Sequence, residues 1–279
     1  MREVLLSVAP VSAAPHPIIP EEIADDVVAS YHAGAAMVHL HVRDAGGALT
    51  PDLTLTLETI RLIRSRCDII IEVSTGGVSE LSIEDRCAPC VPDLIEANSL
   101  NVGSVNLGDA VYMNPIADVR YCVEQIIAGH KFPEIEVFEL GMIHTVLELT
   151  RRYPDFPRPL LFALVFGHPG EMPSTRPALH HMLDFLSDTF GENAIRDGQV
   201  LWGYTQAHRE DWEMMRYALS LGANSLRIGF EDSDYADSGR RVSLNAPIVE
   251  RAAALVRESG AAPMSAAAAR TLLHIGRRV

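Results

Sequence analysis

Apolar, β-branched runs return along the chain every few tens of residues. They lie at 4–9, 36–42, 68–73, 94–100 running on to 105, 135–138, 160–166, 200–204 and 225–230. Between them the apolar positions change period. Residues 21–33, 53–65, 117–128, 143–152, 178–189, 210–221 and 247–258 carry apolar side chains at helical spacing, and 79–90 does so more weakly. Short apolar runs with polar punctuation read as strands buried on both faces. Strands alternating with helices imply right-handed parallel βαβ units, and eight such strands suggest an α/β protein built as a (β/α)8 TIM barrel. A doubly wound open sheet shares the alternation and is the alternative on pattern alone.

No linker or composition break divides residues 1–279, so the chain reads as one barrel domain, and its length suits a barrel of typically ~250 residues. Pro154-Asp155-Phe156-Pro157-Arg158-Pro159 is a rigid connection into a strand. Pro263-Met264-Ser265 before an Ala-rich stretch predicts an N-capped final helix, a helical extension after the eighth unit.

A hydrophobic fraction of 48% suffices for a sizeable core. The net charge of −14 argues against nucleic acid or an anionic membrane as partner. No apolar run reaches the ~18 residues of a membrane span. No signal-peptide core follows Met1-Arg2, so a cytoplasmic location is expected. Lys131 is the only lysine, which removes most lysine-based chemistry. Cys87-Ala88-Pro89-Cys90 has the C-x-x-C form, but without a second pair or an electropositive setting it reads as coincidence in a reduced protein.

The chemistry is carried by polar motifs where the strands should end, the face on which barrels place their active sites. His39-Leu40-His41 closes the second run. Residues two apart share a strand face, so the two imidazoles make half of a transition-metal site. Arg227, Gly229 and Glu231 fall on one face of the eighth run, and Glu231 at its mouth completes a two-His-one-carboxylate set. Asp232 follows as a general base, with Arg227 holding it ionised and aimed; a structural Arg–carboxylate pair is the bland alternative. Ser74-Thr75-Gly76-Gly77 offers hydroxyls and N–H groups to an anion, or is an ordinary glycine turn. No G-x-S-x-G elbow surrounds Ser74, which argues against a hydrolase nucleophile.

Together, His39-Leu40-His41-Val42-Arg43-Asp44, Ser74-Thr75-Gly76-Gly77, Gly103-Ser104-Val105-Asn106-Leu107-Gly108, the segment from Glu134 to Met142, and Arg227-Ile228-Gly229-Phe230-Glu231-Asp232 resemble, in order, the β-keto acid cleavage enzyme family. Ser243-Leu244-Asn245-Ala246 also fits. The resemblance implies a (β/α)8 barrel, usually a homotetramer, with one Zn2+ per chain. It implies condensation of a β-keto acid with acetyl-CoA, then cleavage to acetoacetate and a new acyl-CoA. It assigns His39, His41 and Glu231 to the metal, for which Co2+ or Mn2+ would also serve. Asp232 becomes the base, oriented by Arg227, and Ser74 and Ser104 become substrate contacts with Glu139 nearby. Thr75, Gly76, Gly77 and Asn106 join the substrate set through their motifs, and His168 joins it as a polar pocket group.

Three segments depart from the family pattern. Ala13-Ala14-Pro15 replaces a carboxylate that meets a substrate amine in one branch. His168-Pro169-Gly170-Glu171 stands for Val-Pro-Gly-Gly, and Gly203-Tyr204-Thr205-Gln206-Ala207-His208-Arg209 for Ala-Gly-Ile-Gly-Arg. Two rivals remain at this point. One is an amidohydrolase-like hydrolase with His39, His41, His144, His168 and Asp232 as ligands. The other is a non-catalytic ligand-binding barrel.

Overall fold

The computed structural model describes residues 1–14 and 16–276, so Pro15 of the first loop lies outside the described residues. Eight strands, β1 (Glu3–Val8), β2 (Met37–Leu40), β3 (Ile70–Val73), β4 (Ala97–Asn101), β5 (Phe132–Val137), β6 (Leu160–Phe166), β7 (Val200–Gln206) and β8 (Ser225–Ile228), run parallel in sequential order. β8 pairs back onto β1 with Ser7 opposite Arg227, which closes the sheet. Closure settles the fold as a (β/α)8 barrel and sets the open doubly wound sheet aside.

The helices wrap this barrel: α1 (Pro20–Ala33), α2 (Thr54–Arg64), α3 (Ile83–Arg86), α4 (Ile116–Ala128), α5 (Leu140–Arg152), α6 (Arg176–Phe190), α7 (Glu192–Arg196), α8 (Glu213–Ser220), α9 (Ala246–Glu258) and α10 (Ala266–Leu272). Residues 79–90 form less helix than their pattern suggests. α3 is a single turn, and Pro89 then sits in a 3-10 turn over Ala88–Cys90 because its ring cannot continue an α-helix. The fourth apolar run also breaks. After β4 the chain folds into an antiparallel ribbon, Val105–Leu107 against Ala110–Tyr112, around Gly108 at φ +62°. No helix among the described residues is long and apolar enough to cross a membrane.

Strand alternation builds two layers of packing. Val4, Leu6 and Val8 of β1, or Ile135 and Val137 of β5, face the helices in the main core. The intervening residues fill the barrel. Its lower end is apolar: Leu5, Met37, Ile70, Ala97, Phe132 and Leu161 pack against Met264, Ala266, Ala269 and Leu273 of the C-terminal segment. α10 thus plugs the N-terminal face, and Ser265 caps it by accepting from the Ala268 N–H. One step higher, the interior changes character. Ser7, His39, Glu72, Ser99, Glu134, Glu136 and Arg227 are all buried there. A barrel interior is normally branched aliphatic, so this polar upper layer marks the end where chemistry sits.

Candidate active site

His39 is the penultimate residue of β2, and His41 lies one residue past the strand. Their Nε2 atoms approach to 3.3 Å. Glu231 reaches them by a different route from the one its sequence pattern suggests. β8 ends at Ile228, and Gly229 at φ +131° turns the chain. A Cβ at Gly229 would stand 2.4 Å from the Ala9 carbonyl oxygen, so only glycine fits. The turn is closed by Asp232 N–H and Ser233 N–H donating to the Gly229 carbonyl. Strand alternation would send neighbours to opposite faces; this turn points both Glu231 and Asp232 into the barrel mouth.

Glu231 Oε1 lies 3.2 Å from His41 Nε2, and Oε2 lies 3.6 Å from His39 Nε2. Donors placed tetrahedrally about 2.0–2.1 Å from a common ion are separated by about 3.3–3.4 Å. The three side chains therefore fit one divalent cation. Behind His39, Nδ1 meets Glu72 Oε1 at 2.9 Å, the carboxylate partner that fixes a ligating imidazole's tautomer and direction. His41 Nδ1 is buried and has no such partner among the described residues.

The second cluster is built on Arg227, buried at the end of β8. Its Nη2 and Nε donate to Asp232 at 3.1 and 3.4 Å, and its Nη1 donates to Glu136 at 2.5 Å. The other Glu136 oxygen accepts from Asn101 Nδ2 at 2.7 Å. Burial pushes the Asp232 carboxyl above its ordinary range; Arg227 opposes the shift and Glu231 adds to it. Burial would raise Glu231 too, but His41, Arg227 and His39 outweigh it and hold that carboxyl well below the usual range. The two neighbours are thus driven apart, Glu231 firmly anionic and Asp232 more basic, as a ligand–base pair requires. Deeper still, Glu72 is pushed to about 8 by burial and by Glu136, against Arg227. Burial, with Glu72 next, raises Glu134 as well.

These groups open into a cavity of about 630 Å³ whose wall also includes Ser74, Gly77, Arg43 and His168. Ser74 Oγ accepts from Gly76 N–H and contacts Ser99 Oγ. Gly76 must lack a side chain because the Tyr112 hydroxyl occupies the space a Cβ would take. The other sequence candidates stand back from the cavity. Thr75 Oγ1 turns away to donate to the Ser99 carbonyl and accept from Cys122. Ser104 Oγ accepts from Asn114 N–H and ties the ribbon down. Asn106 is exposed on that ribbon, its Cβ against Gly170 of the β6 loop. Glu139 is half-buried at the start of α5, its carboxyl raised by burial and by Glu171.

The hydrolase ligand set does not assemble. His144 is exposed on α5 beside Glu148, and Lys131 donates to the Pro92 and Ile95 carbonyls near the α10 end of the barrel. Sequence reading gave no role to Glu72, Glu136, Asn101 or Glu171. The signal for two of the barrel acids was present: Glu134 and Glu136 share a strand face as a two-apart pair, as the histidines nearly do. A second cavity of about 570 Å³ meets the first at Ala13, Glu231 and Asp232 and is lined further out by His208, Arg209 and Arg241.

The model of the beta-keto acid cleavage enzyme family matches residues 8–275. A 3-keto-5-aminohexanoate cleavage enzyme of Fusobacterium nucleatum is 30% identical over 259 residues, covering 90% of this chain and 89% of its own. A 3-oxoadipate:acetyl-CoA acetyltransferase of Cupriavidus necator is 33% identical over 263 residues, covering 93% and 88%. Among solved structures, ObcA with oxaloacetate superposes with a TM-score of 0.76 at 20% identity, over 94% of this chain and 67% of that one, a likeness of fold. With the match running from the end of β1 through α10, this chain belongs to the β-keto acid cleavage enzyme family.

Proposed function

We propose that this protein is a zinc-dependent acyltransferase that condenses a β-keto acid with acetyl-CoA and cleaves the adduct to acetoacetate and a new acyl-CoA. The observation that carries the reading is Asp232, held by Arg227, next to two imidazoles and a carboxylate whose ligand atoms stand 3.2–3.6 Å from one another in pairs. His39, His41 and Glu231 would hold the ion. When bound there, a divalent cation supplies a Lewis acid that acidifies the carbon between the ketone and carboxylate of a β-keto acid.

Asp232 takes the proton from that carbon, and Arg227 keeps the carboxylate ionised and directed. The carbanion then forms a bond to the acetyl carbonyl carbon, and CoA thiolate leaves. Thiolate next adds to the original keto carbonyl. The bond between that carbonyl and the former α-carbon breaks, and the Asp232 proton returns to the departing carbon. Acetoacetate and the new thioester are the products. The Ser74 hydroxyl is the wall donor for an oxygen that gains charge, since the Gly77 N–H is taken by the Tyr112 hydroxyl. The second cavity gives the thioester its own approach to Asp232, so the two substrates need not compete for one entrance.

Names of relatives support the class: three include acetyl-CoA, a 3-oxoadipate:acetyl-CoA acetyltransferase, a 3,5-dioxohexanoate:acetyl-CoA acetone transferase and a 3-dehydrocarnitine:acetyl-CoA trimethylamine transferase. The donor set would accept Zn2+, Co2+ or Mn2+; two imidazoles and one carboxylate in tetrahedral spacing favour Zn2+. The test is a panel of β-keto acids with acetyl-CoA, scored by acetoacetate release, beside elemental analysis of the purified protein. Acetoacetate formation with one metal per chain is expected. Two metals per chain with hydrolysis and no CoA dependence would overturn the reading.

A further inference from the structure

The wall of the cavity away from the metal donors decides what the substrate carries beyond its keto-acid head. Strand order is sequential around eight strands, so β6 stands across the barrel from β2. A keto acid anchored at His39 and His41 therefore extends across the mouth toward the loop after β6. Leu49, Leu107, Tyr112 and Phe138 make an apolar passage, and His168 is the polar group on the far side.

His168 is held in a fixed orientation. Glu171 Oε1 accepts from its backbone N–H at 2.8 Å and meets its Nδ1 at 2.9 Å. The Glu171 side chain is fully buried, while that of His168 is 25% exposed. An oxygen already accepting the backbone N–H acts as acceptor toward the ring too, so the proton sits on Nδ1. Nε2 makes no hydrogen bond among the described residues and is not an enclosed atom. It is left to meet a ligand. As the neutral ring's lone pair it accepts from a hydroxyl, and as an imidazolium it donates to a carboxylate or ketone.

A cationic end has nowhere to go. Glu136 spends both oxygens on Arg227 and Asn101, and Asp232 is paired with Arg227. Glu231 belongs to the metal donors, and the Glu171 carboxylate is hidden behind His168. The carboxylates in the cavity wall are thus taken up by Arg227, Asn101 and the metal donors, and Glu139 does not line the space, so an ammonium there finds no free carboxylate partner among the described residues.

We propose that His168, aligned by Glu171, is the specificity-determining residue, and that the preferred β-keto acids carry an oxygen-bearing, uncharged or anionic end, not an ammonium. This rests on the acyl-transfer reading above.

Six-carbon 3-keto acids ending in a carboxylate, a hydroxyl, an alkyl group or an ammonium test it, in turnover with acetyl-CoA and in calorimetric binding to the metal-loaded protein without acetyl-CoA. The expected kcat/KM for an oxygen-ended acid exceeds that of the alkyl-ended one by about tenfold or more, the size of one hydrogen bond in an enclosed site. The carboxylate and hydroxyl arms then say which oxygen partner His168 serves. His168→Ala should collapse that ratio toward one, His168→Gln should recover part of it, and Glu171→Gln should leave it between wild type and His168→Ala, mainly through KM. Preference for the ammonium-ended acid, or a ratio that survives His168→Ala, overturns the inference while acyl transfer stands. Binding that depends on His168 without any acetyl-CoA-dependent turnover supports the inference and overturns acyl transfer. Failure of every acid to bind overturns both.

Discussion

Glu231 and Asp232 are neighbours with opposite electrostatic fates, and the difference separates binding from catalysis at the residue scale. Asp232→Asn keeps the size of the side chain and an oxygen for Arg227 but cannot take up a proton. We expect kcat to fall by about 10²–10⁴, the usual worth of a positioned base, with metal content unchanged by elemental analysis. Loss of metal together with activity would make Asp232 a ligand or a structural group instead. The His39/His41 pair was legible in the sequence because two-apart spacing nearly survives at the end of a strand. The placement of Glu231 was legible only as a motif. Its geometry depends on Gly229 leaving the extended conformation, and period-two alternation does not describe a turn. Glu171 was not legible as a functional group, because a carboxylate three residues along an irregular loop carries no periodic signal.

Among the elements, α10 closes the apolar end of the barrel opposite the polar one. It is held by packing and by one ionic clamp. Arg270 donates through Nε to Glu96 Oε1 at 2.6 Å and through Nη1 to the Asp68 carbonyl at 3.0 Å, and Arg64 pairs with the same Glu96. Burial would raise the Glu96 carboxyl, but Arg270 and Arg64 outweigh it and hold it below its ordinary value of 4.5. A carboxyl lowered in the folded state stabilises fully above its unfolded pKa, and that contribution fades as pH falls through the folded value. Glu96→Gln leaves two guanidiniums facing a neutral amide and should cost about 1–2 kcal/mol at pH 7, between the worth of an exposed pair and the cost of breaking a buried one. Urea unfolding of both proteins should show the gap closing below pH ~4.5. A gap of constant size down to pH 3 would mean that packing, not charge, is what the substitution removed. The helix itself was foreseen from Pro263-Met264-Ser265. Its clamp was not, because Glu96 and Arg270 are far apart in sequence and no local pattern joins them.

For the whole molecule, alternation gave eight strands and their helices but could not tell a closed barrel from an open sheet. Closure depends on β1 meeting β8 across more than 200 residues, with Ser7 set opposite Arg227. Once closed, the barrel gathers an excess of acid at one end. Glu72, Glu134, Glu136, Glu231 and Asp232 share an interior whose one guanidinium in direct contact with them, among the described residues, is Arg227. A proton on Glu134, which hydrogen-bonds Glu72 and leaves it able to accept from His39, relieves part of that repulsion, in keeping with the raised Glu134 carboxyl. A cation between His39, His41 and Glu231 relieves more, and it can do so only in the folded chain because its donors come from β2 and from the turn after β8. Binding to the native state alone stabilises by about 2.7 kcal/mol when free metal is 100 times its Kd. At about 2–4 °C per kcal/mol for a domain approaching this size, saturating Zn2+ should raise Tm by roughly 5–10 °C over chelated protein. The rise should vanish in Glu231→Gln, which removes the charge but little volume. Equal melting of chelated and Zn2+-saturated wild type would show that these three side chains hold no ion, and the acid excess would then have to be balanced by protons alone.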